Sequence, residues 1–178
     1  MSEWLYLDTK PFQSRVVLAA DWLKDCKHVL DVGGYRTPIT YYLNPDKHRR
    51  IVVIDPRVHD VSLFNMESIK GRWQDHYFEP EVSSQGFVCL GIEIHAPEED
   101  WPKFIRFIDG CRRAVIGVAV DHIHSRDQFA RIEAGLSRLE RKFTVSMDLS
   151  DNEYSNDGAP PYTNRKLYFF ERKKDGES

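Results

Sequence analysis

The chain has 178 residues, which suits one domain with a sizeable core. Hydrophobic residues make up 41% and charged residues 30%, as in an ordinary soluble globular protein. A formal charge of −3 argues against broad binding to nucleic acid or anionic membrane.

The first residues, Met1-Ser2-Glu3-Trp4, lack a basic n-region followed by an apolar core, so no secretory signal is expected. The longest apolar stretch, Ala114 to Val120, is far too short to span a bilayer. Three cysteines, Cys26, Cys89 and Cys111, are odd in number and show no C-x-x-C spacing. A disulfide framework or zinc ribbon is not expected, and a reducing cytoplasm is. The basic clusters Lys47 to Arg50 and Arg172 to Lys174 are short and read as solvated surface.

Residues 11 to 25 predict a helix, with Phe12, Val16, Ala19 and Leu23 on one face and Pro11 in its first turn. A strand follows from His28 to Val32. A short helix after Thr37-Pro38 should stop before Asn44-Pro45. Arg50 to Asp55, "RIVVID", is a second apolar strand, and Ser68 to Trp73 a third and weaker one. Phe87 to Ile94 is a fourth. Trp101, Phe104, Ile105 and Ile108 form a helical stripe. Ala114 to Val120 is a fifth strand, apolar enough to be buried on both faces. Ser125 and Gln128 make a capping box for a helix carrying Phe129, Ile132, Leu136 and Leu139. Phe143 to Leu149 and Lys166 to Glu171 close the chain as strands joined by a long polar loop.

Alternating strands and helices predict a three-layer α/β fold, a doubly wound and mostly parallel sheet. The last two strands have no helix between them and fit an antiparallel pair at one edge. No linker or repeat divides the chain, so residues 1–178 are expected to form one domain.

In a doubly wound sheet, ligands bind beyond the carboxyl ends of the strands. The first strand ends at Asp31-Val32-Gly33-Gly34 and the second at Asp55. Two glycines let the backbone turn and approach a ligand without a Cβ in the way. An acid ending the second strand can accept hydrogen bonds from both hydroxyls of a ribose. The run Gly33-Gly34-Tyr35-Arg36-Thr37-Pro38 is not the dinucleotide fingerprint G-x-G-x-x-G, and no P-loop exists. An acid at Asp31 would repel a pyrophosphate and welcome a cationic amino group.

From residue 28 to about 121 the chain resembles the class I S-adenosylmethionine-dependent methyltransferases. "VLDVGG" is similar to their first motif, with Arg36 or Thr37 in place of the usual third glycine, and "VVIDP" to their second. The resemblance implies seven strands with the last antiparallel, S-adenosylmethionine as cofactor, and methyl transfer to an acceptor. It implies cofactor contacts from Asp31, Gly33, Gly34 and Asp55. "GRWQDHYF" sits where the family often places an adenine-contacting acid, here Asp75, with Gln74 as the alternative. His95 takes the position of a histidine that often follows the fourth strand, and it would serve as a catalytic base or as a helix cap.

His122, with Asp121 and His124, follows the fifth strand and should face the same mouth, as a second candidate base; two histidines beside an acid could bind a metal, but a hydrogen-bonded loop is the expectation and no metal ligand is assigned. Tyr154 and Tyr162 in the long loop could close over a substrate. Trp4, Tyr6 and Phe12 would pack as core or lid the cofactor. Short connections between the second and fourth strands leave little material for a large acceptor platform, so a small-molecule acceptor is expected. The competing readings are a non-catalytic binding or assembly subunit of the same fold, and another reaction at the sulfonium. The sequence leaves the oligomeric state open.

Overall fold

A computed structural model describes residues 10–34, 39–43, 47–58, 61–63, 65–76, 85–90, 100–119, 134–135, 137–141, 143–148 and 165–174. The chain begins with α1 (Lys10–Leu23), followed by β1 (His28–Val32) and a 3-10 turn (Ile39–Tyr41). Next come β2 (Arg50–Asp55), β3 (Val61–Leu63), β4 (Met66–Lys70) and a second 3-10 turn (Trp73–Asp75). The second half holds β5 (Gln85–Cys89), α2 (Trp101–Asp109), β6 (Arg113–Ala119), β7 (Phe143–Asp148) and β8 (Arg165–Arg172).

These strands form one sheet in the order β3-β4-β2-β1-β5-β6-β8-β7. Without β3, the remaining seven strands, renumbered in chain order, run 3-2-1-4-5-7-6, with the last antiparallel as expected. β1 pairs in parallel with β2 on one side and β5 on the other, and β2 with β4 and β5 with β6 continue the parallel run. β8 enters antiparallel between β6 and β7. The last two strands therefore do pair antiparallel, with β7 as the edge.

The sequence did not announce β3. It pairs antiparallel with β4, from Val61 opposite Ser68 to Leu63 opposite Met66. Asn65 has φ 63°, and asparagine tolerates that left-handed conformation better than most residues do. The third predicted strand, Ser68 to Trp73, lies earlier, at Met66–Lys70. Its register is set by pairing with β2, Ile51 opposite Met66 through Asp55 opposite Lys70, because its own apolar pattern is thin.

Side chains alternate between the two faces of each strand. Val29, Ile51, Val53, Val88 and Val115 pack on the α1 side with Ala19, Ala20, Leu23 and Ile39. Leu30, Val32, Ile54, Phe87, Ile116 and Phe170 pack on the opposite face with Trp73 and Ile108. Of the predicted stripe of α1, Val16, Ala19 and Leu23 are buried, and the side chain of Phe12 lies outside the described ones. Asp31 shares parity with Val29, and Asp55 with Ile51 and Val53, so both acids belong to the α1 face.

Cys26, Cys89 and Cys111 are buried and none forms a disulfide. Burial pushes the thiols of Cys26 and Cys111 up, which disfavours the reactive thiolate. No helix among the described residues is long and apolar enough to cross a membrane. The predicted helix with the Ser125/Gln128 capping box, apart from its last few residues, and the polar loop with Tyr154 and Tyr162 lie outside the described residues.

Candidate functional site

β1 and β2 run side by side to their carboxyl ends, in register from His28 opposite Arg50 to Val32 opposite Ile54. Gly33 takes the chain off the end of β1 with φ 82°, a conformation that favours glycine. Its N–H donates to the carbonyl of Ile54 at 2.9 Å, so the turn is tied to the residue just before Asp55.

The backbone at Gly34 lies against the Asp31 carboxylate. A Cβ at position 34 would stand 2.4 Å from Asp31 Oδ2 and 2.8 Å from Oδ1. Asp31 Oδ2 in turn accepts the backbone N–H of Ile39 at 2.7 Å. One carboxylate thus bridges both arms of the loop, filling the space left by Gly34 and capping the 3-10 turn at Ile39. That turn then closes on itself, with the N–H groups of Tyr42 and Leu43 both donating to the Ile39 carbonyl. The short helix expected after Thr37-Pro38 is, in its described part, this single turn.

Asp31 is only 5% exposed. Removal from water pushes its carboxyl up to about 7 from 3.8; the Ile39 N–H works against that rise and the nearby charge of Asp55 adds to it. Asp55 is 8% exposed, and its Oδ1 accepts the N–H of Arg57 at 2.7 Å, which fixes the turn leaving β2. Two buried carboxylates therefore sit within electrostatic reach of each other at adjacent strand ends, on one face of the sheet. Such a pair attracts a cation or a donor-rich ligand and disfavours an anion.

β4 delivers a third segment to the same mouth. The Gly71 N–H donates to the Asp55 carbonyl at 3.3 Å. A Cβ at Gly71 would stand 2.8 Å from His76 Nε2, so the imidazole lies over that glycine. Between them, Trp73 is buried against Phe107 of α2, edge to face with ring centroids 6.0 Å apart. Asp75, on the same turn, is exposed, while Gln74 is half-buried. The Gln74 side-chain amide donates to Asp100 Oδ2 at 2.8 Å, and Lys103 donates to the Gln74 carbonyl.

Asp31, Gly33, Gly34, Asp55 and the Asp75 loop thus gather at one end of the sheet. His95 and His122, with Asp121 and His124, lie outside the described residues, as do Tyr35, Arg36, Thr37 and Pro38. Among the described residues, no group of three or more His, Cys, Asp or Glu could hold a metal ion. Sequence reasoning missed the Gln74–Asp100 contact, which joins residues far apart in the chain. It also missed the Asp31–Gly34 contact, which depends on how the Asp31 side chain folds back over the turn.

The sheet order with β8 antiparallel between β6 and β7 decides the architecture, and solved structures agree with it. An rRNA methylase from Streptococcus thermophilus matches 94% of this chain and 99% of its own, with TM-score 0.60 and 16% identity. The N-methyltransferase NodS from Bradyrhizobium japonicum WM9 matches 94% and 99%, with TM-score 0.63 and 13% identity. The 1,6-didemethyltoxoflavin-N1-methyltransferase of Burkholderia thailandensis, with bound 1,6-didemethyltoxoflavin and S-adenosylhomocysteine, matches 96% and 81%, with TM-score 0.62 and 15% identity. The chain has the class I S-adenosylmethionine-dependent methyltransferase fold. No family model matches it, and no curated protein matches it. At 13 to 16% identity these three neighbours speak for the methyltransferase fold and not for any one acceptor.

Proposed function

We propose that the chain binds S-adenosylmethionine at the carboxyl ends of β1, β2 and β4, and transfers its methyl group to a small-molecule acceptor. The observation that carries this reading is Asp55: a buried carboxylate at the end of β2, beside a positive-φ glycine whose N–H is tied to the same strand. A ribose held there would give two hydroxyl donors to Asp55, while bare backbone at Gly33 admits close approach. The residues fit a cationic cofactor, because Asp31 and Asp55 disfavour an anion and favour an ammonium or sulfonium.

S-Adenosylmethionine, when bound, supplies an electrophilic methyl group. Asp55 would hold the ribose and Asp75 the base. Asp31 would act chiefly by ordering the Gly33-Gly34 loop through Ile39, and its charge would favour the amino-acid end. His95 or His122 would take the proton released by an acceptor that needs a base. One neighbour acts on a small molecule by its name, one is an rRNA methylase, and one belongs to an RNA repair complex. The net charge of −3 weighs toward the small molecule.

Calorimetry with S-adenosylhomocysteine tests the reading. Wild type should bind, and Asp55→Ala should bind about thirtyfold more weakly, the loss of roughly 2 kcal/mol in charge-assisted hydrogen bonds. Equal affinities for the two chains would remove the ribose assignment. Methyl transfer from labelled cofactor into RNA, with none into small molecules, would overturn the acceptor class.

One observation favours a non-catalytic member of the fold. Gly34 is explained by the Asp31 carboxylate without any ligand. Absence of binding to either cofactor or product would support that second reading.

A further inference from the structure

We infer that Asp100 is a positioning residue for the base-reading end of the nucleoside site, acting through Gln74 on the loop of residues 71–76 that carries Asp75. The inference rests on the proposed cofactor reading and extends it to a residue on another element.

The loop is pinned from two sides. On the sheet side, Gly71 donates to the Asp55 carbonyl and the His76 ring lies over Gly71. These contacts set where the loop starts and ends relative to the ribose acid. On the other side, three contacts reach it from the first turn of α2 and its flank. Asp100 Oδ2 accepts the Gln74 amide at 2.8 Å and stands 3.8 Å from Arg72 Nη2. Lys103 donates to the Gln74 carbonyl. Trp73 fills the space below, against Phe107.

Within the turn, Asp75 N–H donates to the Arg72 carbonyl and His76 N–H to the Trp73 carbonyl. The backbone leading to Asp75 therefore follows the placement of Arg72, Trp73 and Gln74. A carboxylate or amide oxygen can accept a hydrogen bond from the exocyclic amine of adenine only if held within a few tenths of an ångström. Asp100 fixes the Gln74 amide with its nitrogen turned toward α2, which orients the amide oxygen the other way. That leaves the loop presenting acceptors, the side-chain oxygen of Gln74 and the carboxylate of Asp75, and an acceptor edge selects adenine over hypoxanthine, whose position 6 carries an oxo group.

The test compares affinities for S-adenosylhomocysteine and its inosine counterpart by calorimetry. Wild type should prefer the adenosine compound at least about tenfold, as a site built to accept a donor rejects the analogue without it. In Asp100→Ala that ratio should fall toward one, with weaker binding confined to the adenosine compound. Asp100→Asn keeps an oxygen for the Gln74 amide and should restore most of the preference. In a Gln74→Ala background, Asp100→Ala should have no further effect. An unchanged ratio in a folded Asp100→Ala, or additive effects in the double variant, would overturn the inference. Should Asp100→Ala fail to fold, Gln74→Ala alone decides: an unchanged ratio there overturns it and a collapsed ratio supports it. Wild type that binds neither compound would sink the cofactor reading and this inference with it. Wild type that binds both equally would sink this inference alone.

Discussion

Between pH 4 and pH 7, the folded protein is expected to lose about 4 kcal/mol of stability from Asp31, a loss that Asp31→Asn should not show. The Asp31 carboxyl titrates near 3.8 when unfolded and is pushed up to about 7 in the fold. Across that window the native chain keeps the proton while the unfolded chain has released it. Stability from this group is therefore full below pH 4, falls as pH rises, and is flat above pH 7. The slope follows from the difference in bound protons, and three pH units at about 1.4 kcal/mol each set the size. Asparagine keeps an oxygen for the Ile39 N–H but has nothing to ionise. Urea titrations of both chains at several pH values read the difference directly. A wild-type curve that rises with pH through this window, once other groups are subtracted using the variant, would contradict it. A bound cationic cofactor should flatten the same slope, because it favours the Asp31 anion.

Gly34→Ala is expected to destabilise the fold by about 3 kcal/mol. Position 34 is not among the positive-φ residues, so alanine meets no backbone strain there. The penalty comes from one contact, a Cβ 2.4 Å from Asp31 Oδ2. The carboxylate must move, and it is the acceptor of the Ile39 N–H. Losing that buried hydrogen bond and forcing the repacking account for the estimate. An Asp31→Ala background should relieve most of the penalty, since the obstructing group is gone. Full additivity of the two substitutions in denaturant unfolding would contradict the contact.

How much of this was legible in the sequence varies by element. β1 and β2 coincide with the predicted spans, because each is an apolar run with an acid in it or at its end and a clear stop. The antiparallel entry of β8 followed from two strands joined without a helix. β3 and the start of β4 were not legible. A three-residue strand carries too little alternation, and Ser68 is the only buried residue in β4. Both owe their position to pairing with neighbours rather than to their own pattern.

The candidate site divides the same way. Asp31, Gly33, Gly34 and Asp55 could be named because strand ends mark them. The reason for Gly34 could not, since it depends on how a side chain three residues earlier folds back. Asp75 was legible as an acid after β4, but its exposure was not. Asp100 carried no local signal, because its partner Gln74 comes from a loop 26 residues away. Contacts between elements are set by the packing of Trp73 on Phe107, which no period in the sequence encodes.

A crystal structure of the complex with S-adenosylhomocysteine is the most direct measurement. The nucleoside should lie over Gly33, with both ribose hydroxyls within about 3 Å of the Asp55 carboxylate and the base toward residues 71–76. A product bound elsewhere on the sheet, or a ribose with no contact to Asp55, would contradict the account.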